Sequence, residues 1–265
     1  MVYTRIGWAD RTWNPVVGCS RLSEGCRHCY AEQMAGTRLA HLPAYAGLTR
    51  MVGGEPHWTG EARLLEDRLS EPLHWRKPYR VFVNSMSDLF HESLSEDDIR
   101  EVLEVIYWVG EDEFAEYPNE VLPHQFLCLT KRAKRMRDVV TQFRADMGEL
   151  EPEPNVWLGV SVENQSAADE RIPFLLDTFA VVRWLSVEPL LEKIEIPRLD
   201  ELDWVVVGGE SGNGYRPMEI DWLVDVVEQC YEDEVPVFVK QDSGRMPGQQ
   251  GRIPDEIWAR KEYPR

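Results

Sequence analysis

Long apolar runs are missing from this chain: no stretch approaches the ~20 residues that a membrane-crossing helix needs. The first 20 residues also lack a basic start, an apolar centre and a small-residue cleavage pattern. Neither a membrane partner nor a secretory leader is expected, and the expected compartment is the cytoplasm. Positive charge is scarce, with 29 Lys and Arg against 47 Asp and Glu and a formal net charge of −18. A molecule so charged repels polyanions as a whole, which disfavours a broad nucleic-acid footprint. No GxGxxG or Walker-type phosphate loop, internal repeat or low-complexity tract is present. Cysteine is sparse too: the 265 residues hold five, an odd number that excludes complete disulfide pairing. Three of them, Cys19, Cys26 and Cys29, crowd into one short loop, an arrangement awkward for a disulfide framework and natural for metal ligation.

What is present is a rhythm. Apolar, β-branched runs at 80–83, 125–129, 155–160, 181–185, 203–207 and 235–239 are separated by helix-length segments, the pattern of βα units and a parallel sheet. Helices are expected over 99–109, with Ser95 as cap and acidic residues in the first turn, over 133–147, over 165–179 across Pro173, and over 221–232. The length suits one α/β domain spanning 1–265. The segment at about 1–78 is irregular, rich in Gly, Pro, His and Trp beyond Gln33, with turn signals at Gly53, Gly54 and Pro56; within it 62–75 is expected to be helical. Cys128, inside an apolar run, and Cys230, after a helix-like segment, are expected to be small buried hydrophobes.

In parallel α/β folds ligands sit at the carboxyl ends of the strands. Here those ends carry Asn84, Ser85 and Asp88; Thr130 and Lys131; Ser161, Glu163 and Asn164; Ser186 and Glu188; Gly208, Gly209, Glu210 and Ser211; and Lys240, Gln241 and Asp242. Any strand must leave the core into polar loop, so polarity alone says little. The recurrence of Glu and Lys at the exits points to one polar site at a barrel mouth. Gly208-Gly209 would let backbone approach a ligand closely, or simply serve a tight strand-to-helix turn, while Glu210 offers a carboxylate beside it.

Cys19-x6-Cys26-x2-Cys29 supplies three soft thiolates on a loop punctuated by Gly18 and Gly25. A four-iron cube held by three cysteines keeps one iron without a protein ligand. Zinc is the competing metal and would want a fourth ligand, for which His28 and His41 are the local candidates in a Cys3His structural site. His28, between Arg27 and Cys29, is awkwardly close to the third cysteine; His41 is reachable. Unmetallated cysteines are the remaining alternative.

A resemblance covers nearly the whole chain. A cysteine loop ahead of a βα array resembles the layout of radical S-adenosylmethionine enzymes, whose common C-x3-C-x2-C pattern has an aromatic residue before its last cysteine. Here Cys26-Arg27-His28-Cys29 keeps the second half, places His28 at the aromatic position, and lengthens the first gap to six residues. The stretches from Ile6 to Pro15, Gly18-Cys19, Gly25-Cys26, Cys29 to Glu32, Ser87 to Phe90, Leu129 to Lys131, Gly159 to Glu163, Ser186 to Pro189 and Gly208 to Glu210 also look like those of a phage-type three-cysteine-motif family of unassigned function, radical S-adenosylmethionine-like in character. The resemblance implies a partial (βα)6 TIM-like barrel and a 4Fe-4S cluster on Cys19, Cys26 and Cys29. It further implies that S-adenosylmethionine is bound through its methionine amine and carboxylate and reductively cleaved to start hydrogen abstraction, with a flavodoxin or ferredoxin as electron donor. Cofactor contacts are then expected from Ser85, Ser87, Asp88, Lys131, Ser161, Glu163, Glu188, Gly208, Gly209 and Glu210. In the radical enzymes a Gly-Gly-Glu stretch after the second strand meets the amine; here it comes late, so Ser85, Ser87 and Asp88 at the early position are the candidates for that contact.

Ten tryptophans are scattered along the chain. Trp157, Trp184 and Trp204 are expected in the core, and Trp8, Trp13 and Trp58 either pack or stack on a base. The substrate is unknown, a nucleobase or nucleic acid being the candidate suggested by the basic run from Lys131 to Arg137. Those charges equally suit a solvated helix start that balances nearby carboxylates. Two other function classes are a zinc-stabilised α/β binding protein and a nucleic-acid-binding accessory module.

Overall fold

Extended runs joined by helix-length segments can neighbour one another only through crossovers, which makes their pairing parallel. In the computed structural model, which describes residues 4, 6–110, 124–148 and 154–264, the strands are β1 (Arg11–Trp13), β2 (Val16–Val17), β3 (Thr49–Val52), β4 (Glu55–Trp58), β5 (Arg63–Leu64), β6 (Arg80–Val83), β7 (Gln125–Thr130), β8 (Val156–Ser161), β9 (Val182–Val187), β10 (Trp204–Gly208) and β11 (Val237–Gln241). Seven of them form one sheet in the order β1-β6-β7-β8-β9-β10-β11, and every neighbouring pair in it is parallel. The sheet curls into a half-barrel within a mixed α/β fold. The helices are α1 (Tyr30–Gly36), α2 (Glu96–Gly110), α3 (Ala133–Met147), α4 (Gln165–Leu176), α5 (Ile220–Glu232) and α6 (Asp255–Trp258). No helix among the described residues is long and apolar enough to cross a membrane.

Alternation along each strand sorts side chains into two cores. Val81, Phe126, Leu158, Leu185, Val205 and Val237 face outward and are covered by Ile99 and Ile106 of α2, Met136 and Phe143 of α3, Ile172 and Leu175 of α4, and Leu223 and Val226 of α5. Phe82, Leu127, Trp157, Trp184, Trp204, Val206 and Phe238 face inward, with Trp8 from the N-terminal segment packed among them. Trp8 meets Phe82 and Trp184 edge-on at centroid distances of 4.8 and 5.2 Å. Each such side chain contributes roughly 1.5–3 kcal/mol by leaving water. The inner layer therefore fills the barrel below its carboxyl end. Trp13 and Trp58 are buried as well, so these tryptophans serve packing.

Local signals fix the helix starts. Ser95 Oγ accepts from Asp98 N at 3.1 Å while Asp98 Oδ2 accepts from Ser95 N at 3.0 Å, a reciprocal cap on α2. Asn164, expected as a strand-end ligand group, instead caps α4 by accepting from Ala167 N at 2.9 Å.

The six anticipated strands are present, several displaced toward their carboxyl ends, because Thr130, Ser161, Ser186 and Gln241 are polar yet their backbones still pair. A seventh barrel strand, β1, escapes the sequence because it is only three residues long. Residues 62–75 are not helical. β5 pairs with β2 there, and two single 3-10 turns, Glu66–Arg68 and Glu71–His74, follow. Pro72 and the bond from Trp13 Nε1 to Arg68 O at 2.8 Å oppose a continuous helix. The irregular region also holds α1 and the β3–β4 hairpin, whose Gly53-Gly54 turn has φ of 60° and 87°. Cys128 and Cys230 lie in the outer core as expected.

Gly159 on β8 pairs with Trp184, and a Cβ built there would lie 2.5 Å from the indole. Gly159→Ala is expected to destabilise the fold by about 1–3 kcal/mol through overpacking, read as a lower urea midpoint. An unchanged midpoint would show that the inner aromatic layer is loosely packed.

Candidate functional site

The cysteine loop starts where β1 ends, and the loop after β6 receives it. Asn14 Oδ1 accepts from Ser85 Oγ at 3.0 Å and Met86 N at 3.1 Å. Asn84 Oδ1 accepts from Val16 N at 3.1 Å, and Ser87 Oγ donates to Val16 O at 2.8 Å. Gly18, at φ 91°, passes so close to Glu61 O that a Cβ would sit 2.3 Å from it. Ser85 and Ser87 thus hold the approach to Cys19 with their hydroxyls.

Three separate anchors fix the loop itself. At Cys19 the anchor is Arg132, which is 6% exposed and donates to Asp88 Oδ2 (3.0 Å), Glu92 Oε2 (2.8 Å) and Ser20 Oγ (2.8 Å), with its Nη1 4.0 Å from Cys19 Sγ. Asp88 also accepts from Phe90 N, Thr130 Oγ1 and Lys131 N at 3.0, 2.7 and 3.1 Å. Its carboxylate is spent on joining the ends of β6 and β7. In the middle of the loop, Gly25 lies on Glu163, where a Cβ would be 3.0 Å from the carboxyl carbon. Glu163 is fully buried and paired with Arg171 Nη1 at 2.9 Å. At the far end Glu210 meets His28 Nδ1 at 2.9 Å and accepts from Arg216 N at 2.7 Å, Nε at 3.0 Å and Nη2 at 2.5 Å. Arg216 Nη2 also donates to Glu24 O at 2.9 Å.

All five cysteines are free thiols. Burial first, then the Asp88 charge, pushes the Cys19 thiol up to about 12 against the pull of Arg132, with Cys29 and Cys26 adding to the rise. The Cys29 thiol is raised by burial, partly opposed by hydrogen bonds, with Cys26 adding to it. Cys26 and Cys29 therefore stand near enough to Cys19 to disfavour its ionisation, as Cys26 does that of Cys29. Among the described residues no three His, Cys, Asp or Glu side chains are gathered tightly enough to hold a single metal ion. His28 is engaged by Glu210, and His41 is exposed.

Beside this loop, register places Ser161 opposite Ser186 on the inner face, and Lys131 follows Thr130, the partner of Val160. Ser161 and Ser186 are buried residues, yet their hydroxyls have no hydrogen-bond partner among the described residues. The half-buried Lys131 ammonium has no hydrogen-bond or ion-pair partner among them either, while its charge is felt at both Cys29 and Glu163. Glu188 accepts both contacts of Lys240 Nζ, at 2.6 and 2.7 Å. The paired glycines have a structural cause: a Cβ on Gly209 would lie 2.4 Å from Ser243 N, and one on Gly208 3.2 Å from Gln241 O.

Of the expected contact residues, Lys131, Ser161 and Glu188 line the mouth, whereas Ser85, Ser87, Asp88, Glu163 and Glu210 hold the cysteine loop or its surroundings. Arg132, Arg171 and Arg216 were not foreseen; the available signal was a basic residue within a few positions of an acidic strand exit. Most charges of the basic run are met by partners within the fold. Arg135 donates to the carbonyls of Phe90, His91 and Leu94, and Lys134 and Arg137 pair with Asp138 at 2.8 Å.

A family model described as "Protein of unknown function (DUF5131)" matches residues 3–257. The chain belongs to this family. The match takes in the cysteine loop and every strand of the half-barrel, so the site lies wholly within the family region. No curated protein and no solved structure matches the chain.

Burial would raise the Glu163 carboxyl, but Lys131 and Arg171 hold it below its ordinary 4.5. Glu210, buried likewise, is held below 4.5 by hydrogen bonds from Arg216 and His28. Depressed carboxyls add stability that is complete above the unfolded value and lost as pH falls through the folded one. Wild-type urea midpoints should fall as pH drops below 4.5, and the gap to Glu163→Gln or Glu210→Gln should narrow over that window. A gap independent of pH would overturn this assignment.

Proposed function

We propose that the chain is a radical S-adenosylmethionine-like enzyme whose Cys19, Cys26 and Cys29 ligate a 4Fe-4S cluster. The observation that carries this is a meeting at one end of a parallel half-barrel: a loop of three free thiols lies beside Lys131, whose charge reaches Cys29, and beside the hydroxyls of Ser161 and Ser186, none of the three having a hydrogen-bond or ion-pair partner among the described residues. Thiols raised by desolvation, as at Cys19 and Cys29, keep their protons unless a metal takes the proton's place, and three soft donors suit iron-sulfur chemistry. A zinc site would need a fourth ligand beside the three thiolates, from His28, whose Nδ1 meets Glu210, or from the exposed His41. When bound, the cluster supplies one electron for the reductive cleavage of S-adenosylmethionine, which starts hydrogen abstraction from a substrate.

The protein's own part is binding, orientation and exclusion of water. Lys131 provides the positive charge that a ligand carboxylate needs, and Ser161 and Ser186 supply hydrogen bonds beside it. Glu188, two residues beyond Ser186 and paired with Lys240, is the carboxylate at hand for an amine. The tryptophan layer beneath keeps the floor dry. A flavodoxin or ferredoxin is the expected reductant. The basic run from Lys131 to Arg137, mostly turned to partners within the fold, supports a nucleic-acid substrate poorly, and the net charge of −18 opposes one.

Anaerobic reconstitution should yield a brown protein with about four iron and four sulfide per chain. After reduction it should release 5′-deoxyadenosine from S-adenosylmethionine, and Cys19→Ala, Cys26→Ala or Cys29→Ala should abolish both properties. Lys131→Met should keep the cluster and weaken S-adenosylmethionine binding. A colourless protein with one zinc per chain and no iron would refute the proposal.

A further inference from the structure

The strand-end carboxylate Glu210 makes four hydrogen bonds, one with His28 of the cysteine loop and three with Arg216, which itself reaches that loop at Glu24. His28, between Cys26 and Cys29, is 182 positions away in sequence. Glu24, two positions before Cys26, is reached through Arg216 across 192 positions. Glu210 is 6% exposed, and its charge is balanced on the spot by Arg216 at 2.5 Å. Gly214 closes the other side, with its Cβ position 3.9 Å from His28 Nε2. Cys19 has none of these contacts; its neighbours are Arg132 and Ser20.

We infer that Glu210 is a positioning residue for the Cys26–Cys29 half of the motif, which it clamps to the end of β10 through His28 and Arg216. Cys19 is placed independently by Arg132 and Asp88 from the ends of β6 and β7. The cysteine motif is thus set by two opposite parts of the half-barrel, and the long gap between its first two members spans them. A backbone tied by charge-assisted hydrogen bonds opens less often than a free loop, so removal of the clamp exposes Cys26 and Cys29 while leaving Cys19 as it was. The consequence for a cluster rests on the function proposed above, whereas the clamp itself belongs to the metal-free chain.

The test is therefore made on metal-free protein, by timed iodoacetamide labelling at constant pH with each cysteine followed by peptide mass. In Glu210→Ala, labelling of Cys26 and Cys29 should rise by roughly an order of magnitude and that of Cys19 should not change. Glu210→Gln, which keeps the shape, should show a smaller rise of the same pattern, and His28→Asn should reproduce it from the other side of the contact. Cys128 and Cys230, buried in the outer core, report global unfolding; if they react in Glu210→Ala, the milder Glu210→Gln and His28→Asn decide. Equal acceleration of Cys19, Cys26 and Cys29 in those variants, or none, would overturn the inference. In reconstituted protein Glu210→Gln should lose iron faster than wild type and shift the electron paramagnetic resonance signal. If labelling follows the predicted pattern but no iron is ever taken up, the clamp stands and the cluster falls.

Discussion

The buried ion pair between Arg132 and Asp88 governs the geometry of the whole carboxyl end. Both residues are over nine-tenths buried, and a charge so placed costs several kcal/mol unless it stays paired and hydrogen-bonded. Asp88 meets this condition by accepting from the end of β7 as well as from Arg132, and Arg132 meets it by reaching Ser20 and Glu92 too. Neither can move without stranding the other, so the exits of β6 and β7 and the first cysteine are locked together. His91 belongs to the same knot through Ser20 Oγ at 2.9 Å. Burial first, and the Arg132 charge next, hold its imidazole below the ordinary value, so it stays neutral and adds no second positive charge.

From that knot the polar tier follows by register. Parallel strands with period-two side chains bring every second residue to the inner face, and the inner row of Leu129, Gly159, Trp184 and Trp204 is succeeded by Lys131, Ser161 and Ser186. The glycine in the first row is required because the Trp184 indole occupies the space its side chain would fill. Above it the chain changes from apolar to polar within one step on three adjacent strands. The acidic residues lie beyond it, where Glu163, Glu188 and Glu210 each find a basic side chain: Arg171, Lys240 and Arg216. Lys131 remains as the cation of the mouth without such a partner among the described residues.

Much of this was legible beforehand and some was not, for physical reasons. The β-branched runs and their polar exits announce a parallel sheet with its site at one end, because burial on both faces demands continuous apolar strands. Glu163 and Glu210 were recognisable as belonging near the cysteines, but not their partners. A carboxylate beside a strand end reads the same whether it awaits a ligand or a guanidinium 8 or 44 residues away, as at Glu163 and Asp88. Asp88 illustrates this: its spacing suits an amine ligand, and its four accepted bonds serve the fold. β1 was invisible because three residues carry no period. The segment at 62–75 misled because its apolar spacing is helical while Pro72 and the tie to Trp13 break it into turns.

The lengthened first gap between the cysteines can now be given a cause. Of its six residues, Ser20 is held by Arg132 at the start of α3, Arg21 by Glu32 of α1, Glu24 by Arg216 after β10, and Gly25 by Glu163 after β8. A gap of three residues would have too few positions to reach all four elements. The gap therefore behaves as an anchored strap across the mouth rather than as slack, and a side chain at Gly25 would press on the buried carboxylate beneath it. Glu32 closes the far end, where it binds both Arg21 and the backbone of Trp58, so α1 and the β3–β4 hairpin brace the strap from outside. Lengthening the loop while multiplying its anchors keeps the three sulfurs together without a shorter motif.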